Sequence, residues 1–308
     1  MDAFAATRLA IGAGFLLAAA ASDVRQRRVR DPLWVLLGSA GIGIAAVELA
    51  FRNEGLAAWS LLGSAAILFY AVFYGEPLVD EEGMHLRPLR IGGFLLAAAL
   101  IAFSIGLVAT APSPVSQGTI ELLSIPVMVV LYQLFYRVRL LHGGADAKGL
   151  IALTLLVPMY PSADPFPLLT LDPRVQSAVR AAFPFSLVVW VDAAILTLGV
   201  PLALLAYNAA RGDLRLPQAF LGYRARIDPL PRHVWLMERI TDKGDHVLVL
   251  FPRRGTDPAS DVARLRAAGI ERAWVQPQIP FMVPLLAGFL LAFLLGNVLA
   301  GILGLAGQ

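Results

Sequence analysis

Eight stretches of this chain are too apolar for too long to be ordinary soluble segments, near residues 4–21, 32–51, 56–74, 91–112, 119–136, 147–161, 183–208 and 281–306. A helix needs about 20 apolar residues to cross the hydrocarbon core of a bilayer. Inside that core only helices and closed barrels satisfy their own backbone hydrogen bonds. Composition agrees: 58% of the 308 residues are hydrophobic and 15% charged, against about 25% charged in soluble domains. The expected fold is an all-α polytopic membrane protein with about eight transmembrane helices, the window at 147–161 being the shortest.

One stretch, 209–280, is polar enough to form a module in water. "HVLVLF" (246–251) reads as a buried strand and "RAWVQ" (272–276) as another. Between them "DPASDVARLRAAG" (257–269) reads as a helix, with Asp257 as cap, Pro258 at its first position and Gly269 at its end. The expectation is a small α/β segment with one βαβ-like unit. The domains are then a catalytic membrane bundle over 1–208, the α/β segment over 209–280 and a last transmembrane helix over 281–308.

Several classes of chemistry are excluded early. The chain has no cysteine, so it has no disulfide, no thiolate zinc site and no thiol nucleophile. His85, His142, His233 and His246 show no ligand spacing, so neither a metal nor a cofactor is expected. A net charge of +3 without a basic, aromatic-laced tract gives no reason to expect nucleic acid. At the N-terminus, Asp2 and Arg8 leave no net positive charge ahead of the first apolar run. That run is read as an uncleaved span and not a signal peptide.

Alternating the loops between eight spans sorts the basic residues. One side receives Arg25, Arg27, Arg28, Arg30, Arg87, Arg90, Arg137, Arg139 and Lys148; the other receives Arg8, Arg52, Arg174 and Arg180. Cytoplasmic loops carry the excess of lysine and arginine, so the first side is cytoplasmic. Asp23 and Asp146 both fall there, at helix ends on one membrane face.

Those two aspartates are the chemically informative residues. "SDVRQRRVRD" (22–31) ends the first apolar window, and "LLHGGADAKGL" starts at 140, where two later windows meet. Ionisable groups at such depth are costly and mark function. Two carboxyls within hydrogen-bonding reach cannot both ionise cheaply, so one keeps its proton and stands as an acid beside a base. Such a pair activates a water and protonates a leaving amine, hydrolysing a peptide without metal or thiol. Gly143 and Gly144 would let an extended backbone approach. By the same physics, two boundary aspartates can serve as the relay of a proton-coupled transporter, although no duplicated halves of the kind carriers often show are visible.

These motifs resemble a known family. "GGADAK" (143–148) is similar to the GxGD signature of intramembrane aspartyl proteases, in the form used by archaeal prepilin and preflagellin peptidases. "SDVRQRRVRDPLW" (22–34) resembles that family's first catalytic motif, and the likeness continues through "FLGYRARIDPL", "HVWLMER" and the last apolar run. The resemblance implies that Asp23 and Asp146 are the catalytic pair and that Gly143, Gly144, Ala145 and Lys148 form the supporting turn. Ala145 replaces the second glycine of a strict signature, adding one methyl group. Asp31 stands where bacterial relatives have asparagine and Arg30 where proline is common, which brings the chain closer to the archaeal branch. The implied substrates are precursors of type IV pilin-like proteins or archaellins with a short, basic, class III-type leader. The implied location is the cell membrane, with the active site facing the cytoplasm. Bacterial relatives also carry cysteine pairs in a cytoplasmic loop and methylate the new N-terminus; with no cysteine and no glycine-rich loop for a methyl donor, methyltransferase activity is not expected here.

Three further groups complete the candidates. Asp80, Glu81 and Glu82 form an acidic run in a cytoplasmic loop, read either as a solvated turn or as a dock for the basic leader. Glu48 and Asp192 lie inside apolar windows and are read as protonated hydrogen-bond donors or as parts of the pocket. His142, beside the glycines, is expected to face water.

Overall fold

The computed structural model describes residues 2–74, 79–80, 83–84, 87–112, 116–141, 143–161, 166–169, 173–252, 258–302 and 304. In chain order these form α1 (Ala3–Gln26), α2 (Asp31–Phe51), α3 (Leu56–Phe73), β1 (Val79–Asp80), β2 (Gly83–Met84), α4 (Pro88–Ala109), α5 (Gln117–Arg137) and α6 (Gly144–Leu156). Then follow α7 (Pro173–Ala182), α8 (Phe185–Ala210), α9 (Gln218–Leu221), β3 (Tyr223–Arg226), β4 (Val234–Leu236), β5 (Glu238–Ile240) and β6 (His246–Leu248). The chain finishes with α10 (Pro258–Ala267), β7 (Arg272–Pro277), α11 (Met282–Leu294) and α12 (Val298–Ile302). Two compact units result, one comprising Met1–Ala194 with Pro280–Gln308 and the other Ile195–Ile279.

The first unit is a helical bundle, and its helices start where the sequence supplies a start signal. The Asp2 carboxylate accepts the Ala5 N–H at 2.8 Å and caps α1, and Ser116 caps α5 through the Thr119 N–H at 3.2 Å. Proline stands in the first turn of α2 and of α4, where its missing N–H is not needed.

Among the described residues, six helices, α1 to α5 and α8, are long and apolar enough to cross a membrane. The expectation of about eight spans is met in part. Each of the eight windows contains helix, but α6 and α11 have 13 residues each. At 1.5 Å per residue such a helix is about 20 Å long, short of the roughly 30 Å hydrocarbon core. Much of their apolar surface faces protein. In α6 every residue from Leu150 to Leu156 is buried, as expected of a helix that is hydrophobic all round. The far end of α11 is closed by the backbone N–H groups of Leu168 and Leu169, which donate to Leu294 and Leu295 at 2.9 Å. The chain then turns at Gly296, whose φ of +91° suits glycine.

Small residues let α6 sit inside this bundle. A Cβ on Gly41 of α2 would lie 2.6 Å from the backbone of Leu155 and Leu156, and one on Gly149 would lie 3.2 Å from the Trp34 ring. Close backbone approach at glycine is how helices pack where lipid tails compete with apolar side chains. The buried hydroxyls are paired as well. Thr154 donates to or accepts from Ser186 at 2.8 Å, and Ser186 accepts from Tyr132 at 3.1 Å.

The second unit holds a three-stranded antiparallel sheet in the order β3-β7-β4 and a separate β5-β6 hairpin. The expected βαβ-like unit is not formed. β7 carries a buried run, Ala273 to Val275, and both of its edges are taken by antiparallel neighbours. The segment at 246–251 is a strand only over His246–Leu248, and His246 and Leu248 are exposed. It turns back on β5 through Thr241–Asp245, where Gly244 adopts a φ of +87°. Helix α10 covers one face of the β3-β7-β4 sheet, with Ile227, Leu265 and Ala273 in a core; Ala219, Met237 and Trp274 form a second cluster.

Candidate active site

Asp23 lies in the last turn of α1 and is half-buried. The helix stops just after it: Arg27 turns into the left-handed region at φ 53° and its N–H closes onto the Asp23 carbonyl at 2.9 Å. The Ser22 hydroxyl reaches across that turn to the Arg28 carbonyl at 2.7 Å. On the side-chain side, Asp23 Oδ2 accepts the backbone N–H of Met282, the first residue of α11, at 3.2 Å. First-turn N–H groups have no partner inside their own helix, so the start of α11 gives Asp23 a donor from 259 positions away.

Asp146 lies in the first turn of α6, behind the N-cap Gly143. Its N–H bonds to the Gly143 carbonyl at 3.1 Å, and its carboxylate folds back over Gly143. A Cβ at 143 would overlap Asp146 Oδ2, so a side chain there would displace that carboxylate. At Gly144 an added Cβ would only touch Tyr136, 3.5 Å from its hydroxyl. Ala145 packs, partly buried, against the bundle core. Lys148 Nζ sits 2.7 Å from Asp31 Oδ2 and 5.4 Å from the centre of the Phe73 ring, so it braces the turn against α2 and α3.

The ion pair between Lys148 and Asp31 joins the first turns of α6 and α2. Further along, Gly149 meets Trp34 and Gly41 meets Leu155, so the two helices run side by side in the same direction. Residues 27–30 connect the end of α1 to the start of α2. The end of α1 and the starts of α2, α6 and α11 therefore meet at one end of the bundle, with Asp23 and Asp146 both at that end. Three helix N-termini there supply partial positive charge, which suits a site that holds carboxylates.

The other sequence candidates are distributed differently. Asp80 belongs to β1, which pairs with β2 in the register Asp80 to Gly83; Glu81, Glu82, His85 and His142 lie outside the described residues. Glu48 is buried and sits between two arginines, pairing through Oε2 with the equally buried Arg8 and through Oε1 with Arg52 at 2.6 Å. Asp192 is buried within α8. His246 pairs with Glu238 at 2.8 Å, and among the described residues no three potential metal ligands cluster.

Sequence reasoning missed Arg8, Asp31 and Met282 as contributors. The first had a signal: a basic residue near the start of one apolar window and an acidic residue near the end of the next face each other in antiparallel helices. Beside that pair, Tyr160 N–H donates to Glu121 Oε2 at 2.8 Å.

Residues 214–298 match the family model described as Archaeal Peptidase A24 C-terminus Type II. No curated protein matches the chain. The matched segment runs from the turn before α9 into α12 and includes Met282; it contains neither aspartate.

Proposed function

The chain shows the likeness of the archaeal type IV peptidase family over residues 214–298, and from that premise we propose that it is a membrane aspartyl endopeptidase. Its substrates are precursors of pilin-like proteins or archaellins, cut on the cytoplasmic face between a short basic leader and a hydrophobic helix. Asp23 and Asp146 share one proton. The ionised carboxyl takes a proton from the attacking water, and the protonated one delivers its proton to the departing amine.

The surrounding residues divide the supporting work. Gly143 leaves room for the Asp146 carboxylate to fold back over the turn. Lys148, held by Asp31, fixes the turn that carries Asp146. The Met282 N–H orients the Asp23 carboxylate. Removing the leader removes the charges that hold the precursor at the cytoplasmic surface, and the hydrophobic helix is free to join a filament.

The observation that supports this reading best is that both aspartates occupy helix ends at one end of the bundle, where the start of α11 donates to Asp23 and Lys148 ties the start of α6 to Asp31. The test is cleavage of a purified pilin-like precursor by the purified chain, followed by N-terminal sequencing. A new N-terminus at the junction of leader and hydrophobic helix is expected. A precursor left intact, or cut at scattered sites, contradicts the reading.

A further inference from the structure

Helix α8 ends at Ala210, and the next seven residues, "RGDLRLP", leave the membrane-spanning segment at its boundary. This turn is firmly held. The N–H groups of Arg211 and Asp213 close onto the Asn208 carbonyl at 3.1 and 3.0 Å, and Gly212 adopts a φ of +72°. The buried Asn208 side chain donates to the Ala219 and Gly222 carbonyls at 3.0 and 2.7 Å, fixing where the chain returns. Yet Leu214 and Leu216 on the held turn are 54% and 61% exposed. Flexibility does not account for that exposure, since the turn is tied at both ends.

The polar neighbours share one chemistry. The Arg211 guanidinium lies over the Tyr207 ring at 4.4 Å, and Tyr207 meets Tyr223 edge-on at 5.8 Å. Arg215 lies between the two leucines and is exposed. Arg224, beside Tyr223 in β3, has a buried Nε with no hydrogen-bond partner and reaches the Asp213 carboxylate only at 3.8 Å. Three arginines against one aspartate leave an excess of positive charge. Among the described residues, no acid pairs with Arg211 or Arg215. Arginine forks match phosphate oxygens, and tyrosine with arginine is the pairing found where a protein meets lipid headgroups.

We propose that this turn is a binding site for the phosphates of anionic glycerophospholipids, with Leu214 and Leu216 inserted into the bilayer surface and Arg211, Arg215 and Arg224 on the headgroups. The leucines supply contact with the acyl boundary, and the arginines make that contact depend on anionic lipid. Each arginine near an anionic surface is worth about 1 kcal/mol, which is roughly fivefold in affinity. The site rests on α8 crossing the membrane and not on the peptidase reading.

The absence of cysteine makes the test direct. Leu214→Cys, Leu216→Cys and, as a control on the exposed β5-β6 turn, Lys243→Cys each give the full-length chain a single labelling site for an environment-sensitive fluorophore. The labelled proteins are placed in vesicles of phosphatidylcholine, alone or mixed with phosphatidylglycerol, containing a headgroup-proximal doxyl lipid quencher. The probes at 214 and 216 should be blue-shifted and quenched, more strongly with phosphatidylglycerol, while the probe at 243 stays in water. Adding Arg211→Gln and Arg215→Gln should remove the dependence on phosphatidylglycerol. A probe at 214 and 216 that is as unquenched as at 243, or blue-shifted without quenching because protein covers it, overturns the proposal. Quenching that ignores both phosphatidylglycerol and the arginines overturns the headgroup assignment. No readout involves cleavage, so failure here leaves the peptidase reading untouched.

Discussion

Lys148 and Asp31 are 117 residues apart, and their side chains meet at 2.7 Å. That pair ties the turn carrying Asp146 to the helix that begins just after Asp23. Its contribution to stability is small, because the side chains are 27% and 53% exposed; exposed pairs are worth about 0.2–1 kcal/mol. Its contribution to geometry is larger. Lys148→Met should lower kcat for precursor cleavage more than it lowers thermal stability in detergent, and Asp31→Asn should do the same. The double variant should be no worse than the poorer single one. Additive losses in kcat would mean that the two side chains act separately.

The pair of Arg8 with Glu48 behaves in the opposite way, since their side chains are 5% and 2% exposed. Removing one member of a buried pair strands the other and costs about 3–5 kcal/mol. Arg8→Met should fall toward the low end, because Arg52 remains 2.6 Å from Glu48. Arg8→Met with Glu48→Leu should recover much of the loss. Thermal unfolding of the two purified proteins decides it, and a double variant weaker than the single would show that the pair is a net stabiliser.

Glycines in one helix give a steric contrast. At Gly41 a Cβ would lie 2.6 Å from α6 backbone, whereas at Gly43 nothing stands within 4 Å. Gly41→Val should destabilise the chain by about 1–3 kcal/mol or more through overpacking, and Gly43→Val should be close to neutral. Equal unfolding temperatures for the two variants would contradict the packing of α2 on α6.

Charge on the precursor provides a further check. If Asp80, Glu81 and Glu82 receive the basic leader, neutralising all three should raise KM more than it lowers kcat. The effect should fade with salt, since the Debye length is about 8 Å at physiological ionic strength. Leader lysines changed to glutamine should slow the wild-type enzyme and add little to the triple variant. Simply additive effects would make the run a solvated turn.

How far the sequence reveals this fold depends on what each signal measures. Apolar length locates helix in all eight windows, but it does not separate burial in lipid from burial in protein. Leu150 to Leu156 form the packed centre of the bundle, which apolar length alone does not announce. Strands of three or four residues, such as Val234–Leu236, and the charged Tyr223–Arg226 carry too little alternation to be read. Asp23 and Asp146 stand out because a carboxylate is conspicuous in an apolar chain. The contacts of Asp23 with Met282 and of Asp31 with Lys148 join residues far apart in the chain, and no local pattern announces them.

The most direct measurement of the central claim is single-turnover cleavage by the wild type, Asp23→Asn, Asp146→Asn and the double variant, each shown to be folded by its thermal unfolding in detergent. Groups that act as one catalytic unit are grossly non-additive. Each single variant should therefore lose cleavage almost completely, and the double variant should be no slower than either. A single variant that keeps near-normal turnover, or losses that multiply in the double variant, would contradict a shared catalytic pair.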